Sequence, residues 1–409
     1  MNDKDIVIND PVYGFTLVPR GLLAAIVAHP YFQRMGRIRQ LGMASLVYPG
    51  AQHTRKQHSI GAYHLMRGAF ETLAGKGVFI FDAEREAAEA AILMHDLGHG
   101  PYSHVLEGAF VPDAAHEEIT LLMMRRMNDE MHGALSLAIK VFRGDYPKRF
   151  LHELICSQLD MDRLDYLCRD SFYTGVREGN IGAERIIKML NVDDDRLVVD
   201  AKGIYSVENY LMARRLMYWQ VYLHKTAVAA EEVLRSTLRR ARELAGRGVE
   251  LFGSPALRFF LYNHVTLADL AADAAALDRY ATLDDSDILC ALKVWAGHPD
   301  RVLAALAGAF VNRRLFKVEV YDETVPPGRI EELRMQVAQR LGVGAAEAAH
   351  FVTTRTVEKE MYSTTAEGIC LLGKDGTTQD VSAASHIVTG ETAKQADRKV
   401  YLFRPRDIA

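Results

Sequence analysis

The sequence predicts a mostly α-helical fold: a large helical core followed by a smaller mixed α/β lobe. Two features of its patterning lead there. Through roughly the first 310 of 409 residues, apolar side chains recur mainly at helical spacing and the breaks fall at Gly and Pro. From "RRLFKVEVYDE" onward, strand signals dominate, with one helix among them. A third feature is chemical. Eight of the 15 histidines lie between residues 53 and 132, a density that asks for a reason.

The elements follow in order. "PRGLLAAIVAHPYFQRMGRIRQLG" has helical apolar spacing, with Gly42 as the expected stop. "KQHSIGAYHLMRGAFETLAGKG" predicts a second helix. In "DAEREAAEAAILMHDLG", Asp82 is the expected N-cap, the first turn is acidic and Gly98 ends the helix. "PDAAHEEITLLMMRRMNDEM" predicts another, with Asp113 as its cap, and the helical pattern continues over residues 151–172. "DDRLVVDAKGIYSVE" alternates around Lys-Gly and reads as a hairpin. A long helical run, "NYLMARRLMYWQVYLHKTAVAAEEVLRSTLRRARELA", follows, and further helices fill about 256–310. In the lobe, "GRIEELRMQVAQRLG" predicts a helix and "KVYLFRPR" a final strand. The expected division is 1–310 for the core with its helical extension and 311–409 for the lobe.

Composition narrows the function. The formal net charge of −4 provides no basic field, so nucleic acid is not indicated as the main partner. No apolar run reaches the ~18 residues that a membrane span needs, so no membrane partner is expected. "MNDKDIVIND" has neither the basic nor the apolar region of a secretory signal. Cys156, Cys168, Cys290 and Cys370 are scattered without a CxxC, which fits reduced thiols and a cytoplasmic location.

The chemistry concentrates in "LMHDLGHGPYSH". His95 and Asp96 fall in the last turn of a helix that Gly98, Gly100 and Pro101 force to end. Neighbouring helical side chains diverge by ~100°, so the pair shares one coordination sphere only across the helix end, where the partial negative charge of the C-terminus favours a cation. Taken alone the doublet is ambiguous, since a capping His beside a surface Asp is common. It is not alone. "HTRKQHSIGAYH" places His58 upstream beside Arg55, and "LDMDRLDYLCRDS" crowds Asp160, Asp162, Asp165 and Asp170 downstream. A histidine, a His-Asp doublet and a distant aspartate on separate helices make an N/O site suited to one divalent transition metal: Mn, Fe, Zn or Ni. Such a metal neutralises phosphate charge and lowers the pKa of its water toward ~7. A carboxylate beside a histidine holds that imidazole protonated near neutral pH. His104 and Glu107, three apart on the next predicted helix, share a face, and His104 is either a proton donor to the leaving oxygen or a buried structural histidine.

The order His58, His95-Asp96, Asp162 resembles the H…HD…D signature of the HD-domain phosphohydrolases. "INDPVYG", "FQRMGRIRQLG", "YPGAQHTRKQHSIG", "HDLGHGPYSH", "HEEITLLMM" and "LDMDRLDYLCRDSFYTGV" occur in the order found in their deoxynucleoside triphosphate triphosphohydrolase branch. The resemblance covers about residues 6–240 and weakens beyond. It implies an HD-domain helical core and hydrolysis of dNTPs to deoxynucleoside and inorganic triphosphate. It makes His58, His95, Asp96 and Asp162 metal ligands, with Mg on the substrate phosphates, and places His99, Glu107 and His116 around the attacking water. The family usually has Asp where Glu107 stands, so the charge is kept and moved by one methylene. It also implies a homo-oligomer, dimer or tetramer.

Substrate contacts follow from the same comparison and from residue chemistry. Arg55, Arg163 and Arg214 are candidates for the phosphates, because guanidinium binds phosphate oxygens in a fork. Arg163 replaces the more usual lysine, and "ARRL" around Arg214 also reads as a solvated face. Tyr166 and Asp170 follow Asp162 at intervals of four on one helix face, and the resemblance puts Asp170 with Gln40 at the sugar 3′-hydroxyl. Leu41 and Tyr222 match positions that exclude a 2′-hydroxyl, although plain core packing explains them equally. Leu223 stands where vertebrate members have glutamine. Around "PYFQR", the aspartate and arginine that hold an activating guanine nucleotide are replaced by Ala28 and Gly36, while Gln33 remains. Turnover without GTP, or with another effector, is therefore expected.

Two other functions fit the same residues. A nucleotidase, or a phosphodiesterase on a cyclic nucleotide or single-stranded nucleic acid, would keep the metal site, and His99 and His116 would offer a second metal position. The GYP motif of dimetal cyclic-dinucleotide phosphodiesterases is absent from the sequence. A nucleotide sensor would need the cavity without the water-activating groups.

Overall fold

A capping box opens the helix on which the core is built. The Thr54 hydroxyl accepts from the Gln57 backbone N–H at 3.4 Å, and Gln57 Oε1 accepts from the Thr54 N–H at 2.8 Å, which fixes the start of Arg55–Gly75. The buried side of this helix, including His58, Ile60, Tyr63, Met66 and Phe70, packs against Met161–Thr174 and Asp82–Met94. The computed structural model describes residues 4–106, 108–112, 114–359, 362, 368–389 and 397–408. Those residues are mostly helical, with small sheets.

Glycine permits a close crossing of Arg55–Gly75 and Met161–Thr174. A Cβ on Gly61 would lie 2.0 Å from Asp165 Oδ1 and 2.1 Å from Arg169 Nη2. Gly61→Ala is expected to destabilise the protein by at least about 1–3 kcal/mol, the usual cost of overpacking. Urea denaturation checks it, and an unchanged midpoint would refute the crossing described here.

Several predicted boundaries move. The first helix does not run to Gly42. It ends at Ala28, because Pro30 disfavours helical backbone at His29, which is extended (ψ 140°) and caps a short Pro30–Arg34 helix. Asp82 is the first helical residue rather than the cap. Phe81 precedes it, and its N–H donates to Glu84 Oε2 at 2.9 Å. That helix ends at Met94, ahead of Gly98. Asp113 lies outside the described residues, and the next helix, His116–Glu130, starts after Ala115. Residues 151–172 split into Arg149–Glu153 and Met161–Thr174, the second capped by Asp160, which accepts from the Arg163 N–H at 2.7 Å. The long run divides into Ile204–Met217, a π-turn at Tyr218–Tyr222, and Lys225–Gly246.

The hairpin exists, but it turns elsewhere. Leu190–Asp193 pairs antiparallel with Arg196–Asp200, and Asp194 and Asp195 make the turn at positive φ (46° and 58°). Aspartate tolerates that conformation better than most side chains. Lys202 and Gly203 lie instead in a 3-10 turn.

Small sheets close the structure. Ile6–Asp10 and Gly14–Val18 form an antiparallel hairpin. In the C-terminal region, Lys317–Tyr321 and Thr353–Lys359 flank Asp397–Arg404, all antiparallel, with the Arg329–Leu341 helix beside them. Cys370–Leu372 pairs in parallel with Arg196–Asp200, so one four-stranded sheet joins the middle of the chain to its C-terminal region. No disulfide joins the four cysteines, and among the described residues no helix is long and apolar enough to cross a membrane.

Candidate active site

Three helices deliver one cluster. His58 comes from the first turn of Arg55–Gly75, His95 from the C-terminal end of Asp82–Met94, and Asp162 from the first turn of Met161–Thr174. His58 Nε2 lies 3.2 Å from His95 Nε2 and 3.0 Å from Asp162 Oδ1, which is 3.6 Å from His95 Nε2. Asp96 completes the group: its Oδ1 is 3.5 Å from His95 Nε2 and its Oδ2 3.8 Å from His58 Nε2.

The other ring nitrogens show why a cation fits. His95 Nδ1 is 2.6 Å from the Ile92 carbonyl and therefore carries the proton. His58 Nδ1 is 2.7 Å from Asp165 Oδ2. In their neutral forms both rings aim their lone-pair Nε2 atoms at one another, so the gap calls for a proton or a cation between them. A cation between them relieves that repulsion, and carbonyl and carboxylate partners behind the rings are the usual means of orienting metal-binding histidines. The charge balance agrees. Burial opposes protonation of His58, yet hydrogen bonds to Asp162 and Asp165 push its pKa up to about 10. Burial likewise acts against the Asp96 carboxylate, but Arg55, with Nη1 at 2.6 Å, holds it well below the usual range. The site concentrates negative charge and draws positive charge in. Two imidazoles with two carboxylates suit the N/O-binding divalent metals.

The turn after His95 is held from four sides. Arg34, fully buried, donates to the carbonyls of Leu97 (3.2 Å), His99 (2.8 Å) and Leu283 (2.9 Å). Tyr280 donates to the Gly98 carbonyl, Thr120 bridges Gly98 N–H and the His95 carbonyl, and Asp285 accepts from the Tyr102 N–H. A Cβ on Gly98 would sit 2.0 Å from the His116 carbonyl, so only glycine lets the turn lie against that helix. The turn brings His99 Nε2 to 3.4 Å from Asp96 Oδ1 and stacks its ring on His116 with centroids 3.8 Å apart. Burial, then Arg55, push the His99 imidazole well below the usual histidine range. Glu107 and the side chain of His104 lie outside the described residues, and so does their predicted shared face.

A cavity of about 500 Å³ opens beside the cluster, within the size of small-ligand sites. Asp162, Tyr166 and Asp170 line it in a row, as their spacing predicts, and Gln40, Leu41 and Tyr222 line it too. Asp170 accepts from Tyr222 Oη at 2.8 Å and lies 2.8 Å from His53 Nε2. The Tyr166 and Tyr222 rings meet edge to face at 6.1 Å. Gln40 Oε1 is buried and, among the described residues, has no hydrogen-bond partner. Arg55 and Arg163 also reach the wall, but each is engaged: Arg55 with Asp96 and Ser103, Arg163 with Asp160. Arg214 is not among the described residues lining the cavity. Its guanidinium lies 5.8 Å from the centroid of the Tyr218 ring, which is itself part of the wall.

Some of the site escapes the sequence reading. Asp165 orients His58, and Arg169 in turn grips Asp165 and Asp10. The i, i+4 spacing of Asp165 and Arg169 was a legible signal, whereas Asp10 gave none. Asp165→Asn is expected to weaken metal binding about 10–100-fold, the usual range for partners of ligating histidines. Metal titration checks it, and unchanged affinity would remove Asp165 from that role.

The fold and the cluster together define a metal-dependent hydrolase. Residues 55–170 match the HD domain and residues 181–250 the HD associated region. The crystal structure of a phosphohydrolase from Bacteroides thetaiotaomicron is 56% identical, covers 98% of this chain and 100% of its own, and superposes with a TM-score of 0.95. The Bacillus subtilis protein YwfO is 32% identical across 99% of this chain and 93% of its own length. The chain belongs to the HD-domain phosphohydrolases. Human deoxynucleoside triphosphate triphosphohydrolase SAMHD1 is 28% identical over 59% of this chain and 46% of that protein.

Proposed function

We propose that the protein hydrolyses deoxynucleoside triphosphates, with water attacking the α-phosphorus and the bond to the sugar 5′-oxygen breaking, to give deoxynucleoside and inorganic triphosphate. The observation that carries this reading is the helix face on which Asp162, Tyr166 and Asp170 follow one another from the cation cluster along a cavity that Leu41 and Gln40 also line. The similarity to SAMHD1 supports it. In this reading His58, His95, Asp96 and Asp162 hold one divalent ion. When bound, that ion polarises a phosphoryl oxygen and lowers the pKa of water toward ~7.

The chain's own groups do the rest. His99 and His116 flank the attacking water together with Glu107. Arg55 and Arg163 offer positive charge to the phosphates, and Arg214 acts behind the wall through Tyr218. His104 is the proton donor to the departing 5′-oxygen. Asp170 accepts from the 3′-hydroxyl, and Gln40 helps to orient it. Leu41 and Tyr222 leave no space for a 2′-hydroxyl, a steric form of specificity. We place the enzyme in the cytoplasm as a homo-oligomer, which light scattering tests. The Gln33 side chain is already satisfied by Val27 and Lys56 (2.6 and 2.8 Å), so turnover is expected without GTP.

The test is to incubate the purified protein with each dNTP and Mn²⁺ or Mg²⁺ and to resolve the products by chromatography. Nucleoside with triphosphate supports the proposal. Monophosphate would replace it with a nucleotidase, and no turnover with a nucleotide sensor.

A further inference from the structure

The cavity is not built from the helical core alone. Arg355, on strand Thr353–Lys359 of the C-terminal region, lines it together with Ala227 and Glu231 of the Lys225–Gly246 helix. Burial along that strand alternates, with Thr353, Arg355 and Val357 more enclosed than their neighbours, so the pleat turns Arg355 inward. Ala227 and Glu231 are four apart and share one helix face. Arg355 Nη1 donates to Glu231 Oε2 at 2.8 Å, and the two side chains keep 30% and 17% of their surface open. The pair therefore bridges strand and helix while still presenting atoms to the cavity.

Charge decides which part of a ligand belongs there. A nucleoside triphosphate carries its negative charge at one end. The opposite end is an uncharged base whose edge alternates hydrogen-bond donors and acceptors. Near the cluster the wall offers guanidinium and imidazole groups: Arg55, Arg163, His99 and His116. A carboxylate such as Glu231 repels phosphate, and its pairing leaves Arg355 with little net charge to attract it. Side by side, however, the pair shows a planar fork of N–H donors next to carboxylate acceptors. That pattern complements a base edge.

Resting on the dNTP reading above, we infer that Arg355 and Glu231 form the base-recognition wall of the cavity, so that the C-terminal region sets which nucleobase is preferred. The pair offers both donor and acceptor to every base. Its discrimination comes from the order in which they are presented, because a base that places donor against donor leaves buried groups unpaired.

The test uses the full-length metal-loaded protein and three variants: Arg355→Ala, Glu231→Gln, and the exchange of Arg355→Glu with Glu231→Arg. Two quantities are measured: kcat/KM for the four dNTPs, and equilibrium binding of the four corresponding deoxynucleosides, which cannot be turned over. Hydrogen bonds to charged groups correspond to roughly 10–100-fold in affinity. The single variants are therefore expected to change the ratio between best and worst base by about tenfold or more. The exchange variant re-forms the bridge, so its melting temperature recovers while its base ranking stays altered. A bridge that only ties strand to helix would lower all four bases alike and be rescued fully by the exchange. Either of those results, or an unmoved ranking, overturns the inference. Failure of the hydrolase reading looks different. If no dNTP is turned over, the nucleoside measurements still decide, and a preference lost in Arg355→Ala upholds the recognition wall, whereas no nucleoside binding or an unchanged preference overturns it.

Discussion

Asp162→Asn is expected to leave a folded protein that loses its cation and at least about 10³-fold of its hydrolytic activity, since a metal's electrostatic contribution to phosphate chemistry amounts to several kcal/mol and each 1.36 kcal/mol is tenfold. The substitution keeps the volume of the side chain and removes only its charge. Asp162 is the most open member of the cluster, with 28% of its side chain exposed against 0% for His58, so the cost to the fold is small. Its Oδ1 nonetheless reaches both imidazoles, at 3.0 Å from His58 Nε2 and 3.6 Å from His95 Nε2. Without it, Asp96 must neutralise the ion while already paired to Arg55 at 2.6 Å. Elemental analysis of the purified variant beside the wild type reads the metal, and product chromatography reads the activity. A variant that binds metal at full stoichiometry and keeps activity within tenfold would show that the cluster is not the reaction centre.

The candidate ligands were legible because each sits where a helix begins or ends, and helix ends leave marks in sequence. His95-Asp96 precedes Gly98, Asp162 follows the capping Asp160, and His58 follows the Thr54–Gln57 box. The row of Asp162, Tyr166 and Asp170 needed only the helical repeat. What stayed hidden depends on contacts between distant segments. Asp10 reaches the site through a β-hairpin whose place in the fold no local pattern gives, and Arg355 reaches the cavity from a strand 193 positions beyond Asp162. Arg214, a phosphate candidate by its charge, lies with its guanidinium 5.8 Å from the Tyr218 ring, a contact that their spacing of four on the chain allows. Local propensity also competed within single segments. Lys-Gly looked like the hairpin turn, yet the register Asp193↔Arg196 puts the turn at two aspartates. Pro30 outweighed the apolar repeat that predicted one continuous first helix.

The buried charges behind the cluster lead to the largest expected effect on stability. Arg169 is wholly buried, donates to both oxygens of Asp165 at 3.0 Å and to Asp10 Oδ2 at 2.8 Å, and lies over the Tyr13 ring at 5.6 Å. Arg169→Met preserves much of the packing but strands two buried carboxylates. Breaking a buried ion pair from one side costs about 3–5 kcal/mol, because the remaining charge has no compensation. The penalty should depend on pH, and its sign can be worked out. Burial raises the Asp165 pKa, but Arg169 outweighs it and holds it below the usual range. A carboxylate with a depressed folded-state pKa stabilises the wild type above its unfolded pKa, and that contribution fades as pH falls. In the variant only the His58 contact still opposes burial, so the carboxylate takes up a proton more readily, which removes the stranded charge. The gap between the two proteins is therefore widest near pH 7–8 and narrows toward pH 5. Denaturant titration across that range measures it. A gap that widened on acidification, or an Arg169→Met protein as stable as wild type at pH 7, would refute the network. The same substitution frees Asp165 to turn away from His58 Nδ1, so the residue that anchors the hairpin to the core also fixes the ring that faces the cation.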